Sequence, residues 1–225
     1  MSTGRSQPPR PYHSELRQKR AAENRQRILQ AAGRLFEERG FDHVTVDEIA
    51  EASGVSTPTV YALFQNKLRL LRTVLDEALS PEQFENLVAQ HKAEPDPRKR
   101  LAISAQIARR IYDAERSQIG TLGQAAVLSA GIRAVEEERE QRRYSRQEET
   151  ISRLHSENLL KIGLDVQKAR DILWAYTGRS LYQMLVQQRG WTSDEYERWL
   201  TDQLCQSLLK VDDLKSAESP ARPGF

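Results

Sequence analysis

The segment His43 to Phe64 constrains the architecture of this chain more than any other, because the start, stop and turn signals of two short helices are packed into it. Thr45 with Glu48 three residues on forms a capping box, each side chain answering the other's unpaired backbone N–H, and Val44 and Ile49 stand where a hydrophobic staple closes. The spacing predicts a helix from Thr45 to about Ser53. Gly54 ends it, since glycine enters the left-handed region without penalty, and Val55 can turn inward over the corner. Thr57 then caps a second helix, Pro58 takes the first helical position where no N–H is needed, and Val60 with Phe64 makes a buried i, i+4 pair.

The flanks extend this pattern. Ile28, Leu29, Ala32, Leu35 and Phe36 recur on one helical face, and Gly40 follows as a stop. Order is expected from near Ser14; Pro8, Pro9 and Pro11 make residues 1–13 read as flexible, within a basic arm that extends to residue 22. Beyond Phe64, Asn66 caps a further helix whose first turn carries Lys67. Two short helices at a tight glycine turn form a helix-turn-helix, whose second helix is presented to the DNA major groove. An ordinary helical hairpin would also satisfy this segment taken alone. With Val60 and Phe64 inward, the outer face carries Thr57, Pro58, Thr59, Tyr61, Ala62 and Leu63, small or uncharged groups able to lie against bases and phosphates, with Lys67 placed to reach the backbone beside the groove.

Charge and composition agree with that picture. Up to Arg27 there are seven bases against two acids, whereas residues 28–80 carry five bases against eight acids, so the positive charge sits in a terminal arm suited to a polyanion or to solvated disorder. The chain has 225 residues, 29% of them charged and only 7% aromatic, a mixture that favours long amphipathic helices over strands and predicts an all-α fold. The single cysteine, Cys205, excludes an intrachain disulfide and points to a reducing cytoplasm. No signal peptide or membrane span is expected, since the longest uncharged stretch, Ser117 to Ile132, is short and interrupted by polar residues. His13, His43, His91 and His155 are isolated from one another. No Gly-rich phosphate loop, nucleophile elbow or catalytic carboxylate pair is visible, so the expectation is a protein that is not an enzyme and uses no cofactor and no metal.

Arg27-Ile-Leu-Gln-Ala-Ala with Leu35-Phe36 and Gly40, Thr45 with Ile49-Ala50, Gly54-Val55-Ser56, Val60-Tyr61 with Phe64, and Asn66-Lys67 with Leu70 together resemble the DNA-binding domain of TetR-type transcriptional regulators over residues 24 to about 80. The resemblance implies an all-α homodimer: an N-terminal three-helix helix-turn-helix domain, a fourth helix leading to a larger α-helical ligand-binding and dimerisation domain, and two final helices at the dimer interface. It implies that Thr45 and Thr59 touch phosphate and that Tyr61 and Lys67 clamp the backbone. Thr57, Pro58, Ala62 and Leu63 would lie nearest the bases, and Ser56 completes the expected DNA-binding set. With few Arg, Asn or Gln on the presented helix, specificity is expected from methyl contacts and DNA shape.

Beyond Ser80 periodicity alone guides the reading. Pro95 and Pro97 precede a helix expected from about Arg98 to Ala114, and an uncharged helix is expected over Ser117 to Ala130. Residues 133–149 are charge-dense and read as a solvated helix or mobile connection, with apolar spacing resuming at Ile151 and continuing to Ile162 before Gly163. A helix from about Val166 to Arg189 is apolar around most of its circumference, which suggests packing against both its own core and a symmetry mate. Thr192 and Glu195 form a second capping box, opening a last helix with Tyr196, Trp199, Leu200, Leu204 and Leu208 on its seam. The segment Leu173-Trp-Ala-Tyr-Thr with Arg189-Gly-Trp resembles a C-terminal domain found in a subset of the same family.

The expected organisation is thus a flexible arm over 1–22, the helix-turn-helix domain over 23–80, an effector-binding and dimerisation domain over 81–212 and a flexible tail over 213–225. The expected function is a sequence-specific, DNA-binding regulator, a repressor released from a pseudo-palindromic operator by a small apolar ligand. Its expected partners are double-stranded DNA, a second copy of itself and that effector, with no membrane. Tyr112, Gln118, Trp174, Tyr176 and Tyr182 are the candidate effector contacts; Leu181, Leu185, Trp199, Leu204 and Leu208 are the candidate interface. The effector is expected to move the helix after Asn66 and so change the spacing of two reading heads. A constitutive dimeric DNA-binding or architectural protein, or an enzyme or effector carrier that has lost DNA binding, stands as the alternative.

Overall fold

Helix boundaries follow local signals wherever those signals are strong. The structure, a computed structural model, describes residues 11–119 and 130–210. Among these, every regular element is helical, apart from an isolated antiparallel bridge between Leu160 and Leu209. The chain divides into two compact units, the first up to Asp76 together with the described residues of 118–132, the second Glu77–Ser117 with the residues from 133 on.

In the first unit α1 (Pro11–Arg39), a single 3-10 turn (Phe41–His43), α2 (Val46–Ser53), α3 (Thr57–Phe64) and α4 (Lys67–Asp76) follow in order. Helix α1 packs on α2 and α4, and Ile28, Ala32, Phe36, Ile49, Val60, Phe64, Leu70 and Leu71 fill the core between them. α1 begins earlier than expected: residues 11–22, read as part of a flexible arm, are helical. Pro11 is no obstacle because it is the first residue of the helix, where its missing N–H has no acceptor to lose, and Glu15 to Ala22 are nearly all good helix formers. Both capping boxes, at Thr45 with Glu48 and at Thr192 with Glu195, are present.

The second unit contains α5 (Pro81–Ala93), α6 (Pro97–Ile119) up to Ser117, α7 (Ala130–Ser156) from Arg133, α8 (Val166–Tyr176), α9 (Arg179–Tyr182) running into a π-helical turn at Gln183–Gln188, and α10 (Ser193–Leu208). Leu101, Tyr112, Ile151, Leu154, Leu173, Tyr182, Tyr196 and Leu200 make its core. The helix expected over Ser117 to Ala130 lies, apart from its ends, outside the described residues, as do the extreme N-terminal residues and the expected tail.

Four expectations about this unit are corrected. The helix containing Ile151 stops at Ser156, and Ile162 is 90% exposed, because Asn158 takes a positive φ that ends the helix before Ile162 can reach the core. The single helix expected over 166–189 is broken at Thr177-Gly178: the Thr177 hydroxyl donates to Leu173 O, while Tyr112 and Arg143 donate to the carbonyls of Thr177 and Trp174 that the break exposes. The charge-dense stretch 133–149 is neither loop nor simple solvated face, for Arg139 and Arg143 turn inward to ion-pair partners. Leu204 and Leu208, expected at a dimer interface, are fully buried in the protomer's own core, since the seam of α10 faces α8. Leu181, Leu185 and Trp199 stay half-buried at the edge of that core.

Candidate functional site

Helix α3 carries no charged residue, and its geometry is dictated by what surrounds it. Gly54 adopts φ 62 and ψ 34, the left-handed conformation predicted for the turn. The Arg27 guanidinium reaches from α1 to the same turn, donating to Ser53 O at 2.5 Å and Gly54 O at 3.1 Å. It lies so close that a Cβ built on Gly54 would fall 2.5 Å from Nη2. Arg27 is therefore a clasp on the turn, a role invisible in a sequence that shows it only as one more base near the arm. A second tie joins the two helices directly, the Thr57 hydroxyl donating to Asp47 Oδ1 at 2.7 Å.

The cap of α3 is one residue earlier than expected. Ser56 is the N-cap and Pro58 lies one position further in, still within the first turn where an N–H is not needed. Ser56 Oγ and Thr59 Oγ1 share a hydrogen bond of 2.8 Å. At the other end the chain turns through a single residue: Asn66 N donates to Phe64 O at 2.7 Å across Gln65, whose φ is 63 and ψ −42. That is a γ-turn of the rare, strained hand, and it leads straight into α4, where Asn66 Oδ1 accepts from Arg69 N as predicted.

Held in this way, α3 buries Val60 and Phe64 and exposes Pro58, Ala62, Tyr61 (49%) and Leu63 (38%). No hydrogen bond engages the Tyr61 hydroxyl among the described residues, so the outer face offers one phenol, a leucine and small groups, as read from the sequence. The expected phosphate contacts are differently placed. Thr45 gives both its N–H and its hydroxyl to Glu48 Oε2, at 2.7 and 2.9 Å, so its donors serve the capping box. These bonds, with Arg39 at 2.8 Å, hold the Glu48 carboxyl down to about 2. The Lys67 ammonium donates to the carbonyls of Phe41 and Val44, both at 2.8 Å, and lies 4.4 Å from the Phe41 ring centre. Two of its three donors thus fasten α4 to the 3-10 turn, and one remains.

The second unit contains a cavity of about 220 Å³ between α5, α6, α7 and α8. Of the five expected effector contacts only Tyr112 lines it. Tyr182 is fully buried with its hydroxyl on Asp113 at 2.5 Å, and Trp174 is outward, edge-on to Tyr144. Tyr176 is half-buried away from the lining, and the Gln118 side chain lies outside the described residues. Tyr112 donates to Thr177 O at 2.9 Å, and burial pushes its phenol up to about 12, so it remains a neutral donor. The Thr177 hydroxyl oxygen also accepts from Arg143 at 2.7 Å and Gln147 at 2.8 Å. The break in the α8–α9 rod is thus bound by three side chains of the cavity wall.

Comparison with known proteins agrees with this architecture. The sequence model described as "Bacterial regulatory proteins, tetR family" matches residues 28–74. The transcriptional repressor BepR of Brucella suis is 33% identical over 98 residues, 44% of this chain and 47% of that protein, so the chain spans about half the length of this curated relative. Crystal structures of similar fold include NalD of Pseudomonas aeruginosa, described as the secondary repressor of a multidrug efflux pump (TM-score 0.66, 23% identity, 84% of this chain and 97% of that one). Another is FadR of Bacillus subtilis in complex with stearoyl-CoA (TM-score 0.62, 17% identity, 80% and 96%). At these identities the likeness is one of fold.

Proposed function

The chain belongs to the TetR family of bacterial regulatory proteins, and from that premise we propose that it is a sequence-specific repressor that binds a pseudo-palindromic DNA operator as a homodimer and is released by a small apolar ligand. The observation that carries this reading is α3 itself, an uncharged helix of eight residues whose Tyr61 and Leu63 stay exposed while Arg27, Asp47 and Lys67 brace its neighbours. An exposed apolar face so firmly oriented suits thymine methyl groups and groove shape rather than bidentate base contacts. In this reading Tyr61, the Ser56–Thr59 pair and the remaining Lys67 donor contact phosphate. The exposed Arg17, Lys19 and Arg20 on the N-terminal turns of α1 add a sequence-independent attraction.

One α3 reads only a few base pairs, so two copies at half-sites about 34 Å apart are needed for useful affinity. The half-buried Leu181, Leu185 and Trp199 are the residues offered to the second copy. The cavity, the repressor names of relatives and the acyl-CoA complex of FadR support a ligand-controlled protein. The alternative of a constitutive dimer is favoured only by the cavity's volume, which lies below the ~300 Å³ usual for ligand sites.

Selection from randomised duplexes tests this. The unaltered protein should enrich a two-fold symmetric sequence bound by two chains, and Leu63→Gln should change the sequence recovered while leaving binding to random DNA at low salt intact. Recovery of no symmetric site, or saturation by one chain per duplex, would overturn the proposal.

A further inference from the structure

Helix α1 is longer than its packing accounts for. Among the described side chains its first buried residue is Ile28, and every residue from Arg17 to Glu23 is exposed, so this length of helix adds nothing to the core. Most helical stability in a folded protein comes from a packed face, and a helix that runs on beyond its core, polar all round, is suited to a partner outside the chain. The overhang starts beside the reading helix. The Arg25 guanidinium lies 5.8 Å from the ring centre of Phe64, the last residue of α3, and Arg27 clasps the turn that precedes Ser56, the cap of α3. Helix α1 therefore leaves the unit from a point tied to both ends of α3.

The charges on the overhang are sorted by face. Ala31 and Ile28 are buried, and steps of three and four residues back from them lead to the half-buried Asn24, then to Arg20 and Arg17. This stripe faces the helix-turn-helix where α1 is packed, and past the edge of the unit it faces whatever α3 lies against. Lys19 belongs to another stripe, continued by Glu23, Gln26, Gln30, Arg34 and Glu37, every one of them exposed. Glu15 and Glu23 stand four residues to either side of Lys19 in the sequence, so acids balance the outward stripe, whereas from Arg17 to Asn24 the inward stripe carries two arginines and no acid. No hydrogen bond or ion pair engages Arg17 or Arg20 among the described residues. At a helical rise of about 1.5 Å per residue, Arg20 and Arg17 stand about 10 and 15 Å further along α1 than Arg27, close to the ~12 Å width of a major groove. They fall at the margin of a groove that α3 enters.

We propose that the overhang of α1 is a second DNA-contacting element, in which Arg17 and Arg20 hold phosphates at the margin of the groove that α3 enters while Lys19, between them in sequence, faces solvent. The inference rests on the DNA-binding reading above and deepens it. Arginine suits the task because its planar fork can grip one phosphate through two N–H donors. Phosphate contacts carry no base information but fix where the protein sits, so the overhang lengthens the site without adding to the sequence read. Lys19 strengthens the attraction at a distance and makes no contact.

Arg17→Gln, Lys19→Gln and Arg20→Gln each remove one exposed charge and keep a good helix former, so a diffuse field would weaken equally in all three. Fluorescence anisotropy of the full-length protein on a random duplex, from about 50 to 200 mM salt, gives the slope of log K against log salt. Arg17→Gln and Arg20→Gln should each flatten it by about 0.9 per bound chain, and Lys19→Gln should leave it essentially unchanged. Hydroxyl-radical footprinting on the symmetric duplex recovered by selection should show protected sugars flanking the recovered sequence, and the double variant Arg17→Gln/Arg20→Gln should lose that protection. Equal flattening by all three variants, no flattening by Arg17→Gln or Arg20→Gln, or flanking protection that survives in the double variant would overturn the proposal. So would the absence of flanking protection on the unaltered protein, a result that needs no variant. The two levels separate cleanly. The expected slopes on random duplex with no symmetric sequence recovered would sink the sequence-specific reading alone, whereas a symmetric sequence that changes with Leu63→Gln, joined to equal effects of the three charges, would sink the inference alone.

Discussion

The two units of this protein are held together by different kinds of bond. In the first, most of the polar interactions that set geometry end on backbone atoms, Thr45 and Glu48 on each other's N–H, Arg27 on the Ser53 and Gly54 carbonyls, Lys67 on those of Phe41 and Val44, and the side-chain ties beside them, such as Thr57 to Asp47, are short-range. In the second, backbone ties such as Tyr112 to Thr177 O are joined by ion pairs between charged side chains far apart in sequence. Glu115, almost fully buried, meets Arg139 and, at 2.5 Å, Arg179; Arg100 reaches Glu157 at 2.6 Å; Arg109 reaches Glu197 at 2.9 Å. A surface that must fit a polymer of fixed shape benefits from a backbone locked residue by residue. A domain that needs only a core and a cavity can be specified by any set of mutually compensating pairs. This is why the family's sequence model matches residues 28–74 while the fold likeness extends over most of the chain at low identity.

The sharpest way to break that contrast is to remove one member of a long-range network. Glu115→Ala leaves Arg139 and Arg179 short of a buried counter-charge, and losing one partner of a buried ion pair costs about 3–5 kcal/mol. The three tryptophans, Trp174, Trp191 and Trp199, all lie in the second unit, so urea denaturation followed by tryptophan fluorescence reports it directly. The transition should move to markedly lower urea. An unmoved midpoint would show that the network is idle and the comparison false.

In the first unit the corresponding blow is to the backbone. Gly54→Ala forces an alanine into the left-handed region and places its Cβ against the Arg27 guanidinium, straining the turn and displacing the clasp together. A loss of about 2 kcal/mol is expected. Amide hydrogen exchange over residues 49–64 should quicken accordingly, and operator binding should fall because α3 is no longer held. Unchanged protection of Val60 and Phe64 would mean that the turn is not what orients the helix.

The same distinction explains what could be read from the sequence. Thr45 with Glu48, Gly54, Asn66, Val60 with Phe64, and Thr192 with Glu195 all act over four residues or fewer, and each lies where the sequence predicts. The α3 cap was displaced by one residue because Ser56 and Thr57 are both good caps, and the hydroxyl of Thr57 is drawn to Asp47, ten residues away. The Thr177-Gly178 break was missed because the donors that satisfy it, Tyr112 and Arg143, lie in other helices. Aromatic content does not separate a cavity-lining core residue from one closed off: Tyr112 and Tyr182 look alike in the sequence and both are buried in the core, yet only Tyr112 lines the cavity, while the Tyr182 hydroxyl is held by Asp113. Arg27 and Lys67 were visible as charges, but nothing local shows that their partners are carbonyls.

The smallest effect expected is also the most local, and it tests whether backbone capping in the first unit works as an electrostatic device. Thr45→Ala removes the acceptor for Glu48 N and a donor to the Glu48 carboxylate, a cap loss of about 1 kcal/mol. The carboxyl, held down to about 2 mainly by the Thr45 N–H and hydroxyl and then by Arg39, starts from an ordinary value of 4.5. A folded-state pKa below the unfolded one means that the stabilisation from Glu48 is complete above about pH 4.5 and drains away as the pH falls through 2. Carboxyl titration by NMR should therefore find Glu48 at about 2, well below its ordinary value of 4.5. Thr45→Ala should raise it toward 4.5, though not fully, since the Thr45 backbone N–H and Arg39 remain. If Glu48 titrates normally in the unaltered protein, or if the stability it confers is lost as pH rises from 5 to 8, then α2 is positioned by its buried Ile49 and Ala50 alone, and both units rest on side-chain packing after all.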